Sequence, residues 1–120
     1  MRNKTDFLKL AYKALEYLKK SNVSLDVHII DSLEMQRLNK YRGKDVDTNV
    51  LAFPAPKEFP SKGKFLGDVF LNLTYIKKHK QSPEKMLIHG VLHLLGFDHE
   101  RPGDRIKMEK LEKRLWENLF

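Results

Sequence analysis

The 120 residues include no cysteine, which excludes disulfide frameworks and zinc–thiolate sites. Lys and Arg number 23 against 16 Asp and Glu, a net charge of +7 that suits polyanionic partners without identifying one. No apolar run approaches a membrane span, and the N-terminal residues lack the apolar stretch of a signal peptide, so one cytoplasmic domain over residues 1–120 is expected.

Thr5 is the expected cap of a first helix whose apolar stripe runs through Phe7, Leu8, Ala11, Ala14, Leu15 and Leu18 and breaks at Ser21-Asn22. From Val23 to Ile30, Val23, Leu25, Val27 and Ile29 alternate with Ser24, Asp26 and His28. That is the period of a half-buried strand, with His28 exposed on its polar face. Asp31 caps a helix from Ser32 to Tyr41, with Glu34 at the capping-box position. Leu33, Leu38 and Met35 form its buried side and Gly43 ends it. A polar turn leads to the short strand Val50-Leu51-Ala52-Phe53. The loop that follows, with Pro54, Pro56, Pro60 and Gly63, is too rich in proline for regular structure. Its lysines Lys57, Lys62 and Lys64 are read as solvated.

Phe65 to Leu73 reads as another strand, interrupted at Gly67-Asp68. A carboxylate in an apolar run is costly unless paired or hydrogen-bonded. Asp68 therefore either meets water at a strand edge or partners a cation or a metal-bound imidazole. A short helix or turn over Thr74 to His79 comes next. Ser82-Pro83-Glu84 then combines an N-cap serine, a proline at the first helical position and an acid near the positive dipole end. A last helix starts at Pro102-Gly103-Asp104, with Ile106, Met108, Leu111, Leu115 and Leu119 on one face.

The helix from Pro83 to Leu95 carries the chemistry. His89 and His93 stand one turn apart on the same face. Gly96 ends the helix, the chain turns back, and His99 can approach the same point. Three converging imidazoles point to a metal site, with zinc the default ion and its fourth position left to water. The spacing H-x-x-x-H-x-x-G-x-x-H is the ligand layout of metzincin proteases, which place a glutamate directly after the first histidine as general base. Here that position is Gly90, which cannot move a proton. A zinc peptidase is thus the weaker reading, and hydrolysis at a phosphoryl group the stronger. Arg42 is the chosen phosphate-binding residue, because a helix end beside a polar loop can offer a bidentate guanidinium.

The stretch from His89 to His99 closely resembles the signature of the bacterial YbeY family, endoribonucleases of ribosomal RNA maturation. The similarity extends to Leu38-Asn39-Lys40-Tyr41-Arg42-Gly43-Lys44-Asp45, to Thr48-Asn49-Val50-Leu51-Ala52-Phe53-Pro54, to Leu66-Gly67-Asp68-Val69 and to Met108-Glu109-Lys110-Leu111-Glu112. It covers most of the chain from about Val23 onward. The resemblance implies an α+β fold, a small mixed β-sheet flanked by helices. It implies one zinc ion on His89, His93 and His99, with Arg42 as the functionally important arginine. It also implies a single-strand-specific endoribonuclease that matures the 3′ end of small-subunit rRNA and serves ribosome quality control. Expected partners are rRNA in the small ribosomal subunit and ribosomal or assembly proteins; no membrane is involved and a monomer is expected. Phe97 stands where tyrosine is common and Ala52 where serine is common, so one polar contact near Arg42 is lost. A different class of function, a non-catalytic assembly factor with zinc as a structural staple, is the principal alternative.

Overall fold

The computed structural model describes residues 3–20, 22–41, 48–55, 64–97 and 102–119. Helix α1 (Lys4–Tyr17) starts earlier than the Thr5 cap anticipates. Asn3 caps it instead: its side chain accepts from the Asp6 N–H, and the Asp6 carboxylate accepts from the Asn3 N–H. This reciprocal box satisfies two helix-end donors and leaves Thr5 inside the helix. The buried stripe is Phe7, Leu10, Ala11, Ala14 and Leu15.

Strand β1 (Val23–Ile30) and helix α2 (Ser32–Tyr41) have the expected bounds. Asp31 Oδ1 accepts from the Glu34 N–H at 2.8 Å, as the capping pattern requires. The buried side of α2 differs from expectation. Met35 is buried as expected, but Asn39 is buried beside it and Leu33 is 59% exposed. Gly43 and the proline-rich stretch 56–63 lie outside the described residues.

Strands β2 (Val50–Pro54) and β3 (Lys64–Asn72) complete a mixed sheet of order β1-β3-β2, with β1 parallel and β2 antiparallel to the central β3. Gly67-Asp68 does not interrupt β3. It bulges the strand: Ser24 pairs with Phe65 and Asp26 with Asp68, so Leu66 and Gly67 together oppose Leu25. Gly67 takes φ +137° there, a conformation open to glycine and strained for other residues.

Helices α3 (Leu73–Lys78), α4 (Pro83–Leu94) and α5 (Pro102–Leu119) follow. Paired residues of neighbouring strands share a face, so Val27, Val69 and Ala52 look one way and His28, Asp68 and Phe53 the other. The first face meets α1 and α4, and α5 packs outside them. Phe7, Leu15, Val27, Val69, Leu71, Leu92 and Met108 belong to this core. Of the apolar residues expected to face inward on α5, Met108 and Leu115 are buried, while Ile106 is 53% exposed. The second face is tied to α2 where Asn72 Nδ2 donates to Ser32 Oγ at 3.0 Å. Among the described residues no helix is long and apolar enough to cross a membrane.

Candidate metal centre

Helix α4 is fixed at both ends by its own sequence. Ser82 Oγ accepts from the Lys85 N–H at 3.2 Å and Pro83 opens the first turn. At the other end Gly96 adopts φ +102°. The Gly96 N–H donates to His93 O and the Phe97 N–H to Leu92 O, the two bonds of a Schellman motif. Leu87, Ile88, Val91, Leu92 and Leu94 bury one side of the helix. This burial leaves His89 and His93 on the flank that looks toward β2.

The two imidazoles converge. His89 Nε2 and His93 Nε2 lie 3.1 Å apart, with the rings edge to face at 73°. Two imidazole nitrogens on one tetrahedral zinc, each about 2.0–2.1 Å from it, stand about 3.3 Å apart. The pair therefore fits a shared ion. His89 Nδ1 meets Glu112 Oε1 of α5 at 2.9 Å, so the ring is held from behind by a carboxylate. His99 and Arg42 lie outside the described residues.

The histidines line a cavity of about 460 Å³ between α4 and the segment leading into β2, with Thr48, Asn49, Ala52 and Met86 among its walls. Asn49 ties those walls together. Its amide donates to Gln81 Oε1 and contacts Met86 Sδ, and its Oδ1 accepts from the Val50 N–H at 2.7 Å. Ala52, singled out as a departure from the resembled family, faces this cavity.

A second donor cluster stands on the other face of the sheet. Asp26, His28 and Asp68 each offer a ligand atom, all within 4.8 Å of one another. His28 is not simply exposed as its polar-face position suggests. Its Nε2 meets Asp68 Oδ1 at 2.8 Å and Asp26 Oδ2 at 3.6 Å, and its ring stacks on Phe70. Asp68 is thus a partner for an imidazole, though not for one on α4. It sits on the central strand, one residue from Val69 and therefore facing away from α4. Burial pushes the Asp26 carboxyl up, but the Val27 N–H, Lys4 and His28 outweigh it and hold it below its ordinary value. Lys4 Nζ reaches Asp26 Oδ1 at 3.3 Å. The remaining described histidine, His79, stacks on Tyr75 and bonds its carbonyl.

Glu112 and Asn49 were not reached by spacing rules. Glu112 had one signal: it stands four residues after Met108 and three before Leu115, so an acid flanks a buried stripe.

The family described as Endoribonuclease YbeY matches residues 2–119. Endoribonuclease YbeY of Persephonella marina is 36% identical, over 89% of this chain and 77% of that protein. Endoribonuclease YbeY of Aquifex aeolicus is 39% identical, over 82% of this chain and 71% of that protein. The solution structure of TM1509 from Thermotoga maritima superposes with a TM-score of 0.59 at 26% identity, covering 99% of this chain and 87% of that one.

Proposed function

The chain belongs to the endoribonuclease YbeY family, and we propose that it is a zinc-dependent enzyme that cuts single-stranded RNA at the 3′ end of small-subunit rRNA. In this reading it acts in the cytoplasm as a monomer on the small ribosomal subunit, with ribosomal or assembly proteins as partners in quality control. The observation that carries it is the convergence of His89 Nε2 and His93 Nε2 at 3.1 Å on the wall of a cavity. His99 completes the ligand set.

When bound, the ion acidifies water and offsets negative charge on a phosphoryl oxygen. The chain's own groups do the rest. His89 and His93 hold donor nitrogens at the spacing a tetrahedral ion needs. Arg42 engages the phosphate as a fixed cation. The net charge of +7 draws a polyanion toward the molecule. Gly90 supplies no proton acceptor, which separates this site from peptidases of the same ligand spacing.

The staple alternative needs a metal to hold α4 in place. The buried Leu87, Val91 and Leu92 already anchor that helix on the core, which favours the catalytic reading.

The test is cleavage of a labelled precursor rRNA 3′ end by the native protein, by protein stripped of metal and reloaded with zinc, and by His93→Ala purified identically. Activity that is lost on stripping, returns with zinc and is absent from the variant supports the nuclease. Equal cutting by all three, or by none, replaces it with the assembly-factor reading. A 2′,3′-cyclic phosphate on the product would mean attack by the RNA 2′-hydroxyl, and other ends attack by water.

A further inference from the structure

We infer that Glu112 is the positioning residue of this centre: its carboxylate keeps the His89 proton on Nδ1, so that the Nε2 lone pair faces the point it shares with His93. The inference rests on the reading of His89 and His93 as metal ligands.

The chemistry of the contact fixes the direction of the proton. An ionised carboxylate only accepts, so the 2.9 Å contact between His89 Nδ1 and Glu112 Oε1 requires Nδ1–H as donor. A neutral imidazole protonated at Nδ1 has its lone pair at Nε2. That is the atom 3.1 Å from His93 Nε2. Without an acceptor behind Nδ1, nothing in this contact selects that tautomer, and part of the population would present Nε2–H to the ion.

The contact is also built to last. It joins two helices across 23 residues of sequence, so it is not an incidental neighbour pair within one helix. Met108 and Leu115, fully buried, hold α5 on either side of Glu112. Both partners are about two-thirds buried, at 28% and 34% side-chain exposure, which limits competition from water. A groove of about 320 Å³ beside the pair is lined by Lys85, Ile88, Glu109, Lys113 and Trp116. Lys85 Nζ lies 4.5 Å from the Trp116 ring and gives a second link between α4 and α5.

A plain interhelical ion pair is the competing account. It would place a full positive charge on His89, and removing Glu112 would then ease metal binding or leave it alone. The positioning role predicts the opposite. Removing an outer-shell partner of a ligating imidazole typically weakens metal binding about 10–100-fold.

The experiment has two readouts. Zinc and cobalt(II) are titrated, against a chromophoric chelator, into metal-stripped protein carrying no change, Glu112→Ala, Glu112→Gln, His93→Ala or Glu109→Gln. Long-range ¹H–¹⁵N NMR of the same metal-free samples reads the tautomer of His89. Melting curves run alongside identify any variant that fails to fold, and Glu112→Gln, with its amide oxygen still able to accept, covers that case for Glu112→Ala. We expect the Nδ1–H tautomer in the parent and in Glu112→Gln, and a shift toward Nε2–H in Glu112→Ala. The metal Kd rises about 10–100-fold in Glu112→Ala. It rises less in Glu112→Gln and is unchanged in Glu109→Gln. If Glu112→Ala keeps both the parent Kd and the parent tautomer while His93→Ala loses the metal, the positioning role is wrong and the metal centre stands. If His93→Ala binds as tightly as the parent, the metal centre falls and the inference falls with it.

Discussion

Gly90 lies so close to Val69 that a Cβ on it would stand 2.8 Å from Val69 Cγ1. Val69 is fully buried on the central strand, and a β-branched side chain there cannot swing aside. The glycine is therefore what lets α4 sit down on β3 and bring its histidines to the cavity. It also explains why the acid that metzincins carry after the first histidine has no counterpart here: a longer side chain would be driven into the sheet.

Gly90→Ala should accordingly lower stability despite alanine's better helix propensity. Overpacking a filled core costs about 1–3 kcal/mol, and the propensity gain offsets about 1 kcal/mol of it. A net loss of up to roughly 2 kcal/mol, about 1 kcal/mol at mid-range, is expected in urea unfolding. A midpoint equal to the parent's or above it would show that α4 and β3 have slack between them.

Gly67→Ala should be costlier. At φ +137° a Cβ would stand 2.1 Å from the Phe53 carbonyl oxygen and 2.9 Å from the Ala55 nitrogen. The obstacle is backbone, so no side-chain rotation relieves it, and about 3 kcal/mol or more should be lost through strain and displacement of β2. Thermal melting by circular dichroism reads this directly. A melting temperature within a degree or two of the parent's would mean the bulge can be rebuilt without glycine.

These two glycines mark the limit of what was legible in the sequence. Local rules read well: Asp31, Ser82-Pro83 and Gly96 each bound a helix as expected, because a cap depends only on its neighbours. The period-2 alternation of β1 likewise gave its bounds. The same rules failed wherever a distant element decided the outcome. Leu33 looked buried, but α2 leaves it exposed and turns Asn39 inward beside Met35. Thr5 looked like a cap, but the helix is capped two residues earlier, by the reciprocal bonds of Asn3 and Asp6. His28 looked solvated until β3 brought Asp68 beside it. At the candidate metal centre the spacing of His89 and His93 was readable from one helix, whereas Glu112 arrives from another.

Asp26 should give stability a shallow acid dependence. Burial raises its carboxyl, but the Val27 N–H, Lys4 and His28 outweigh that and leave it lowered. A carboxyl lowered in the folded state contributes stability that is present above its unfolded value and lost as pH falls through the folded one. The advantage of the parent over Asp26→Asn should be full near neutrality. It should begin to close below about pH 4 and vanish once the folded-state carboxyl is protonated. The group is 38% exposed, so the gap is small and shrinks further in salt. Urea midpoints for both proteins at several pH values test this, and a gap that widens in acid contradicts it.

Metal addition should separate the two donor clusters. A ligand that binds only the folded state stabilises it by RT ln(1 + [L]/Kd), about 2.7 kcal/mol at a hundredfold excess over Kd. For a domain of this size that is a rise in melting temperature on the order of 10 °C. If the ion sits between His89 and His93, the rise is abolished in His93→Ala and kept in His28→Ala, because His28 faces away from α4 and already pairs with Asp68. Scanning fluorimetry of the stripped parent and both variants, with and without zinc, decides the point. The reverse pattern, with the rise lost in His28→Ala and kept in His93→Ala, would move the ion to Asp26, His28 and Asp68, where the three donor atoms already lie within reach of one cation. It would also take the argument for phosphoryl chemistry away from α4, since the cavity beside β2 would then hold two histidines and no ion.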